Sequence, residues 1–309
     1  MRMFAEKQST IQILREIGYN MGAVKSGGIH MSGKKLTQEQ VTAYRQYLHR
    51  EEKSTATVEK YLRDVHAFCD FIGKNPVTKE IVVAYKAHLQ AENYAARSIN
   101  SMLAALNSLL EFLNWTDCKV KNLRTQRQTY CTEEKELTKS EYLRLLEVSK
   151  DQPQLNLVIQ TICGTGIRVS ELKYFTVEAL KKGEITVQCK SKTRTILIPG
   201  KLKTLLLNFA GKRKITAGPV FVTRGGNPLD RSNIWARMKK LCVAANVNPR
   251  KVFPHNLRKL FARTFYNVEK DIAKLADILG HGSINTTRIY IMSTGAEHRR
   301  KIERLGLVQ

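Results

Sequence analysis

Two rings near the carboxyl end, His281 and Tyr290, stand nine positions apart in the stretch HGSINTTRIY. On one unbroken helix, nine steps of about 100° make roughly two and a half turns, so the rings would point in opposite directions. Gly280 and Gly282 flank His281, however, and Ser283 follows. The pattern predicts that Gly280 ends one helix, that His281 sits in a turn, and that Ser283 caps a second helix carrying Tyr290. Both rings can then serve one site.

Three further stretches hold polar groups that a fold alone would not require. GTGIRVSEL places Arg168 just past a Gly-Thr-Gly break, at a helix start whose free N–H groups already attract anions. Its guanidinium adds a planar, bidentate phosphate donor, which Glu171, one turn on, could orient. CKSKTR holds Lys190, Lys192 and Arg194 in a turn. A solvated basic turn is the plain reading. The alternative is a lysine that protonates a leaving oxygen, its pKa lowered by neighbouring cations. PHNLRKLFARTF sets His255 and Arg258 three apart on one helical face, just after Pro254. Both repel when charged, so a phosphate between them would explain the pairing.

Singly, these read as a surface arginine, a capping histidine and a core tyrosine. Together they describe a site that attacks a phosphodiester with a tyrosine oxygen. A phenol is nearly all protonated at neutral pH and needs a proton acceptor in cationic surroundings. Two arginines would neutralise charge on the non-bridging oxygens of a five-coordinate transition state. No acidic cluster of the DxD or DDE kind occurs, so no two-metal mechanism is implied, and a covalent link to the tyrosine would need no cofactor.

The bulk numbers agree with such a substrate. The 309 residues include 52 Lys and Arg against 27 Asp and Glu, a formal charge of +25 spread along the chain. A globular protein with that self-repulsion calls for a polyanionic partner, and nucleic acid fits better than an anionic membrane surface. No apolar run approaches the ~18 residues of a spanning helix, and no signal-peptide core follows Met1, so a cytoplasmic location without membrane is expected. Six cysteines are present without CxxC spacing and read as reduced thiols among apolar neighbours, not as zinc ligands.

The elements that must position these groups can also be read. Residues 1–35 form an accessory extension: STIQILREIGYNM reads as a short amphipathic helix and GAVKSGGIHMSGKK as a flexible joint. Residues 36–116 carry four helical patterns without strand signals, opened by Thr37 with Gln40 three residues on. Residues 117–136 change from basic to acidic and read as an exposed linker, either simply solvated or lying along a phosphate backbone. Residues 137–309 begin with a Thr138–Glu141 capping pattern. Helices follow, then alternation in GEITVQCKSKTRTILIPG that predicts a β-hairpin, with GPVFVTRGG as a candidate third strand. From Asn233 the pattern is helical to the end. The fold class is therefore mainly α with a small antiparallel β-sheet, in two domains.

TGIRVSEL, CKSKTRTILIP, HNLRKLFA and LGHGSINTTRIY, in this order and spacing, resemble the motifs of the tyrosine recombinase (phage-integrase-like, Xer-type) family. The resemblance covers about residues 36–300. It implies a two-domain clamp around duplex DNA: an all-helical core-binding domain and a mixed α/β catalytic domain. Residue by residue, it implies that Tyr290 is the nucleophile forming a 3′-phosphotyrosyl link and freeing a 5′-hydroxyl. Arg168 and Arg258 bind the phosphate, His255 is the acid/base histidine, and His281 hydrogen-bonds the scissile phosphate. Lys190 is the hairpin lysine that protonates the departing oxygen, with Lys192 as its competitor because the turn is one residue short. Four protomers would pair two recombination sites and exchange strands through a Holliday junction. The tail EHRRKIERLGLVQ would form a C-terminal helix, self-packed or docked on a neighbouring protomer. Gly282, Lys259 and the Ile291–Met292 pair depart from the usual motif residues and suggest a mobile-element enzyme. The competing readings are type IB topoisomerase-like nicking and resealing, and a non-catalytic DNA-binding protein.

Overall fold

The structure, a computed structural model, describes residues 34–125, 136–189, 192–292 and 295–307. The chain divides into two compact units, residues 1–127 and 128–309. The amino-terminal extension lies almost entirely outside the described residues.

The first unit is a helical bundle. Helix α1 (Gln38–Arg50) opens with the expected capping box: the Thr37 hydroxyl accepts from the Gln40 backbone, and the Gln40 side chain accepts from the Thr37 N–H. Ser54 caps α2 (Thr55–Ile72), which ends at Gly73 with φ +58°. Thr78 caps α3 (Lys79–Ala91), and α4 (Ala96–Phe112) follows. Apolar residues at helical spacing meet inside: Leu48, Phe68, Leu103 and Leu109 are wholly buried. The sequence predicts an exposed linker from residue 117, but residues 117–123 are packed on the first unit. Asn107 on α4 both donates to and accepts from the Val120 backbone, and Asn100, two turns away on the same face, does the same at Leu123. Cys118 and Val120 are buried, so this segment is part of the first unit up to Leu123.

The second unit starts with α5 (Lys139–Val148), behind the Thr138–Glu141 capping box, and α6 (Pro153–Thr165), which ends at Gly166 in the left-handed region. A 3-10 turn (Val169–Tyr174) and α7 (Val177–Lys182) lead into strands β1 (Glu184–Cys189) and β2 (Lys192–Leu197), paired antiparallel. Ile185 pairs with Ile196 and Val187 with Arg194, so the apolar face is turned to the core. Helices α8 (Gly200–Lys212), α9 (Arg231–Ala244), α10 (Pro254–Glu269), α11 (Ile272–Leu279), α12 (Ile284–Ile291) and α13 (Gly295–Glu303) complete it.

The candidate third strand is not one. Residues 218–226 make only the isolated bridges Thr176–Pro219 and Val222–Pro228. Pro219 has no N–H to donate, and the chain turns back at once, with Thr223 donating to the Asn227 carbonyl. Val220 and Phe221 are consecutive and both buried, unlike the alternation of buried and exposed residues along the hairpin strands. Among the described residues, no helix is long and apolar enough to cross a membrane.

Candidate active site

Two turns of chain converge on Arg258. It lies in the first turns of α10, whose first residue is Pro254. The residue is 1% exposed. One arm donates to the Gly166 carbonyl, just past α6, and the other to the Leu279 carbonyl at the end of α11, at 2.6 Å. Both carbonyls belong to helix carboxyl ends, where the partial charge is negative, so two helix termini hold one cation. The same Nη2 atom lies 3.1 Å from His281 Nε2. Gly166 has φ +65°, and a Cβ there would collide with the Phe261 ring at 2.3 Å, so only glycine lets the loop approach α10.

Arg168 precedes the 3-10 turn. Its backbone N–H donates to Glu171 Oε2 (2.7 Å), its Nη1 to Glu171 Oε1 (3.1 Å) and its Nη2 to the Gly280 carbonyl (3.3 Å). The side chain stays 37% exposed, which leaves donors facing solvent. Glu171 does orient Arg168, as its spacing suggested.

Arg194 was grouped with a solvated turn, and that reading is corrected. Its guanidinium donates to Glu171 Oε2 and to the Ile278 carbonyl, both at 2.6 Å, with the side chain 11% exposed. A Cβ on Gly280 would lie 2.8 Å from Arg194 Cδ, so the arginine packs directly on that glycine. Arg194 thus links the hairpin, the Arg168–Glu171 pair and the end of α11. The signal was in the sequence: Arg194, Ile196 and Ile198 share one parity, and both isoleucines face the core.

The break between the two rings is as anticipated. Gly280 ends α11 with φ +63°, and Ser283 caps α12 through the Asn285 N–H. The His281 ring stands 4.8 Å from the Tyr290 ring, centroid to centroid, and the His255 ring stands 5.0 Å away. The Arg258 guanidinium lies over the phenol at 5.9 Å. Tyr290 is 7% exposed and shares a small apolar cluster with Ala262, Leu275 and Leu279. His281 Nδ1 lies 2.9 Å from the hydroxyl of Thr287, a fully buried residue that sequence reasoning passed over.

An open pocket of about 700 Å³ adjoins these groups, lined among others by Arg168, His255 and Arg258 and, from α9, by Arg231 and Trp235. Lys190 lies outside the described residues, and of Lys192 only the strand backbone is described, paired with Cys189.

Burial and crowded cations set the protonation states. Burial first, then Arg258, Arg168, Arg194 and His255, push the His281 pKa down to about 4. His255 is lowered too, by burial and then by Lys259, Arg258 and Arg168. Burial and Arg168 bring Arg258 to about 10, still charged at neutral pH. Two neutral imidazoles therefore flank the phenol beside two cationic arginines. That arrangement can bind a phosphate, stabilise charge building on its oxygens and accept a phenolic proton.

Residues 135–297 match the phage integrase family, and residues 41–117 match the phage integrase N-terminal SAM-like domain. The chain belongs to the phage integrase family. Within that family it is 31% identical to the tyrosine recombinase XerA of Pyrococcus furiosus, over 90% of this chain and 98% of that one. It is 28% identical to the tyrosine recombinase XerD of Halalkalibacterium halodurans, over 80% of this chain and 90% of that one. The phage integrase family fold is also that of a lambda integrase dimer bound to a COC′ core site, at a TM-score of 0.68. That likeness has 17% identity and covers 84% of this chain and 96% of that one. Like these phage integrase family relatives, the chain is a tyrosine site-specific recombinase.

Proposed function

We propose that the protein cleaves and rejoins duplex DNA at a recombination site through a 3′-phosphotyrosyl bond on Tyr290, in the movement of a mobile element. Arg168 and Arg258 hold the scissile phosphate. The Tyr290 oxygen attacks phosphorus, the new O–P bond forms as the P–O5′ bond breaks, and the phenolic proton passes to His255. Lys190, or Lys192 in its place, supplies a proton to the departing 5′ oxygen. His281 hydrogen-bonds a non-bridging oxygen. The phosphotyrosyl link conserves the bond, so a 5′-hydroxyl from another strand reseals the DNA without a cofactor.

The observation that carries this reading is the convergence of His255 and His281 on one phenol, beside the buried Arg258 and the part-exposed Arg168. The net charge of +25 supports a DNA partner. Assembly of four copies on paired sites fits the exposed tail, in which Leu305 and Leu307 are 62% and 84% solvent-accessible. A lambda integrase of the same fold is a tetramer on a Holliday junction.

The test is a nicked suicide duplex, whose cleavage releases a short fragment and traps protein on DNA. A band surviving denaturation, mapped by peptide mass to Tyr290, is the expected result. DNA binding without any such band would leave a non-catalytic clamp. Relaxation of supercoils by dilute monomer, without paired-site products, would favour a topoisomerase.

A further inference from the structure

Thr287 has no place in the mechanism so far, yet its surroundings decide the chemistry of His281. Arg258 Nη2 lies 3.1 Å from His281 Nε2. A guanidinium only donates, so Nε2 must present its lone pair. A neutral imidazole carries one N–H, which therefore sits on Nδ1. Nδ1 is 2.9 Å from Thr287 Oγ1, so the Nδ1–H donates to that hydroxyl. Thr287 is fully buried, and it lies one turn before Tyr290 on α12. Its β-branched side chain has few rotamers on a helix, so the oxygen is held in place.

We infer that Thr287 is a positioning residue that fixes Nε2 as the working nitrogen of His281 and ties that ring to the helix bearing the nucleophile. Arg258 and His255 from α10, Arg168 from the 3-10 turn, Arg194 from β2 and Tyr290 from α12 face His281. All the fixed charges among them are positive, so a phosphate entering beside Arg258 favours protonation of the ring. A proton from solvent then adds at Nε2, replacing the hydrogen bond from Arg258, and the imidazolium donates from Nε2 to the phosphate and from Nδ1 to Thr287. The Thr287 oxygen accepts in both states, so the ring gains a proton without turning over. In the free protein, the opposite tautomer would set an N–H against the guanidinium with no phosphate beside it to accept.

The role in cleavage rests on the recombination reading above; the tautomer does not. The protein labelled with ¹⁵N-histidine is examined at neutral pH by long-range ¹H–¹⁵N correlation, with His281→Gln assigning the His281 signals among the seven histidines. The expected pattern is a protonated Nδ1 and a bare Nε2 in wild type and Thr287→Ser, and its loss in Thr287→Val, which keeps the shape but not the oxygen. On a nicked suicide duplex at saturating protein, Thr287→Val should form adduct about 10-fold more slowly, the scale of one hydrogen bond to an ionised group, and Thr287→Ser should recover. A protonated Nε2 in wild type, or an unchanged Thr287→Val spectrum, overturns the inference. The wild-type spectrum decides even if Thr287→Val does not fold. Failure of wild type to form any adduct would instead strike the recombination reading.

Discussion

The imidazole of His281 lies 4.8 Å from the phenol of Tyr290, although a single helix would turn the two apart. The separation is closed by one left-handed residue, Gly280, and one cap, Ser283, which restart the helix in a new direction. The second helix is only eight residues long and buries Thr287 and Tyr290 on its inner side. Its place therefore depends on packing against α10 and α11 more than on its own hydrogen bonds.

Tyr290→Phe should abolish the covalent complex while leaving DNA affinity nearly unchanged, since the ring still fills its apolar cluster. Denaturing gels and a filter-binding titration measure the two separately. A normal adduct yield from this variant would remove Tyr290 from the role of nucleophile.

Arg168→Ala and Arg258→Ala should each slow cleavage at saturating protein by at least about 100-fold, the cost of one transition-state donor. The two should differ in stability. Arg258→Ala strands the Gly166 and Leu279 carbonyls in a buried site, at about 1–3 kcal/mol for each unsatisfied group. Arg168, more than a third exposed, should cost much less. Denaturant melts of both variants test that order.

Arg194→Met leaves the buried Glu171 with Arg168 alone and strands the Ile278 carbonyl, and should lower stability by about 1–3 kcal/mol for each lost contact. It should also slow cleavage, because Glu171 orients Arg168. The exposed pair Lys150–Glu147 is the control: Lys150→Met should change stability by less than about 1 kcal/mol. Equal effects of the two substitutions would remove Arg194 from its linking role.

Acid should destabilise the second unit through its histidines. The ordinary histidine pKa is 6.5, and the folded chain holds His281 near 4. Between these values the unfolded chain binds a proton that the folded chain rejects, so stability falls as pH falls through this window. Below about 4 this group adds no further slope. His255 acts in the same direction. Urea melts from pH 7 to 4 should show a shallower slope for His281→Gln than for wild type; equal slopes would contradict the depressed pKa.

Lys190 and Lys192 can be separated by a 5′-phosphorothiolate duplex. The sulfur leaves with little protonation, so this substrate should rescue the alanine variant of the true general acid and not the other.

The sequence by itself was enough for the helices, the hairpin, several caps and most of the clustered chemical groups. Thr37, Thr138, Ser283, Gly166 and Gly280 act over three or four residues, and such local hydrogen bonds and backbone preferences are legible in order along the chain. So was the need for a polyanion, since net charge is a sum and does not depend on shape. Only the tertiary structure decided that Arg194 is buried against Glu171, that Val220 and Phe221 fill a core without making a strand, and that Asn100 and Asn107 hold the segment after α4. It also supplied the contact between Thr287 and His281. Each of these depends on which surfaces meet, and an arginine or a threonine carries no mark of its partner until another element is packed against it.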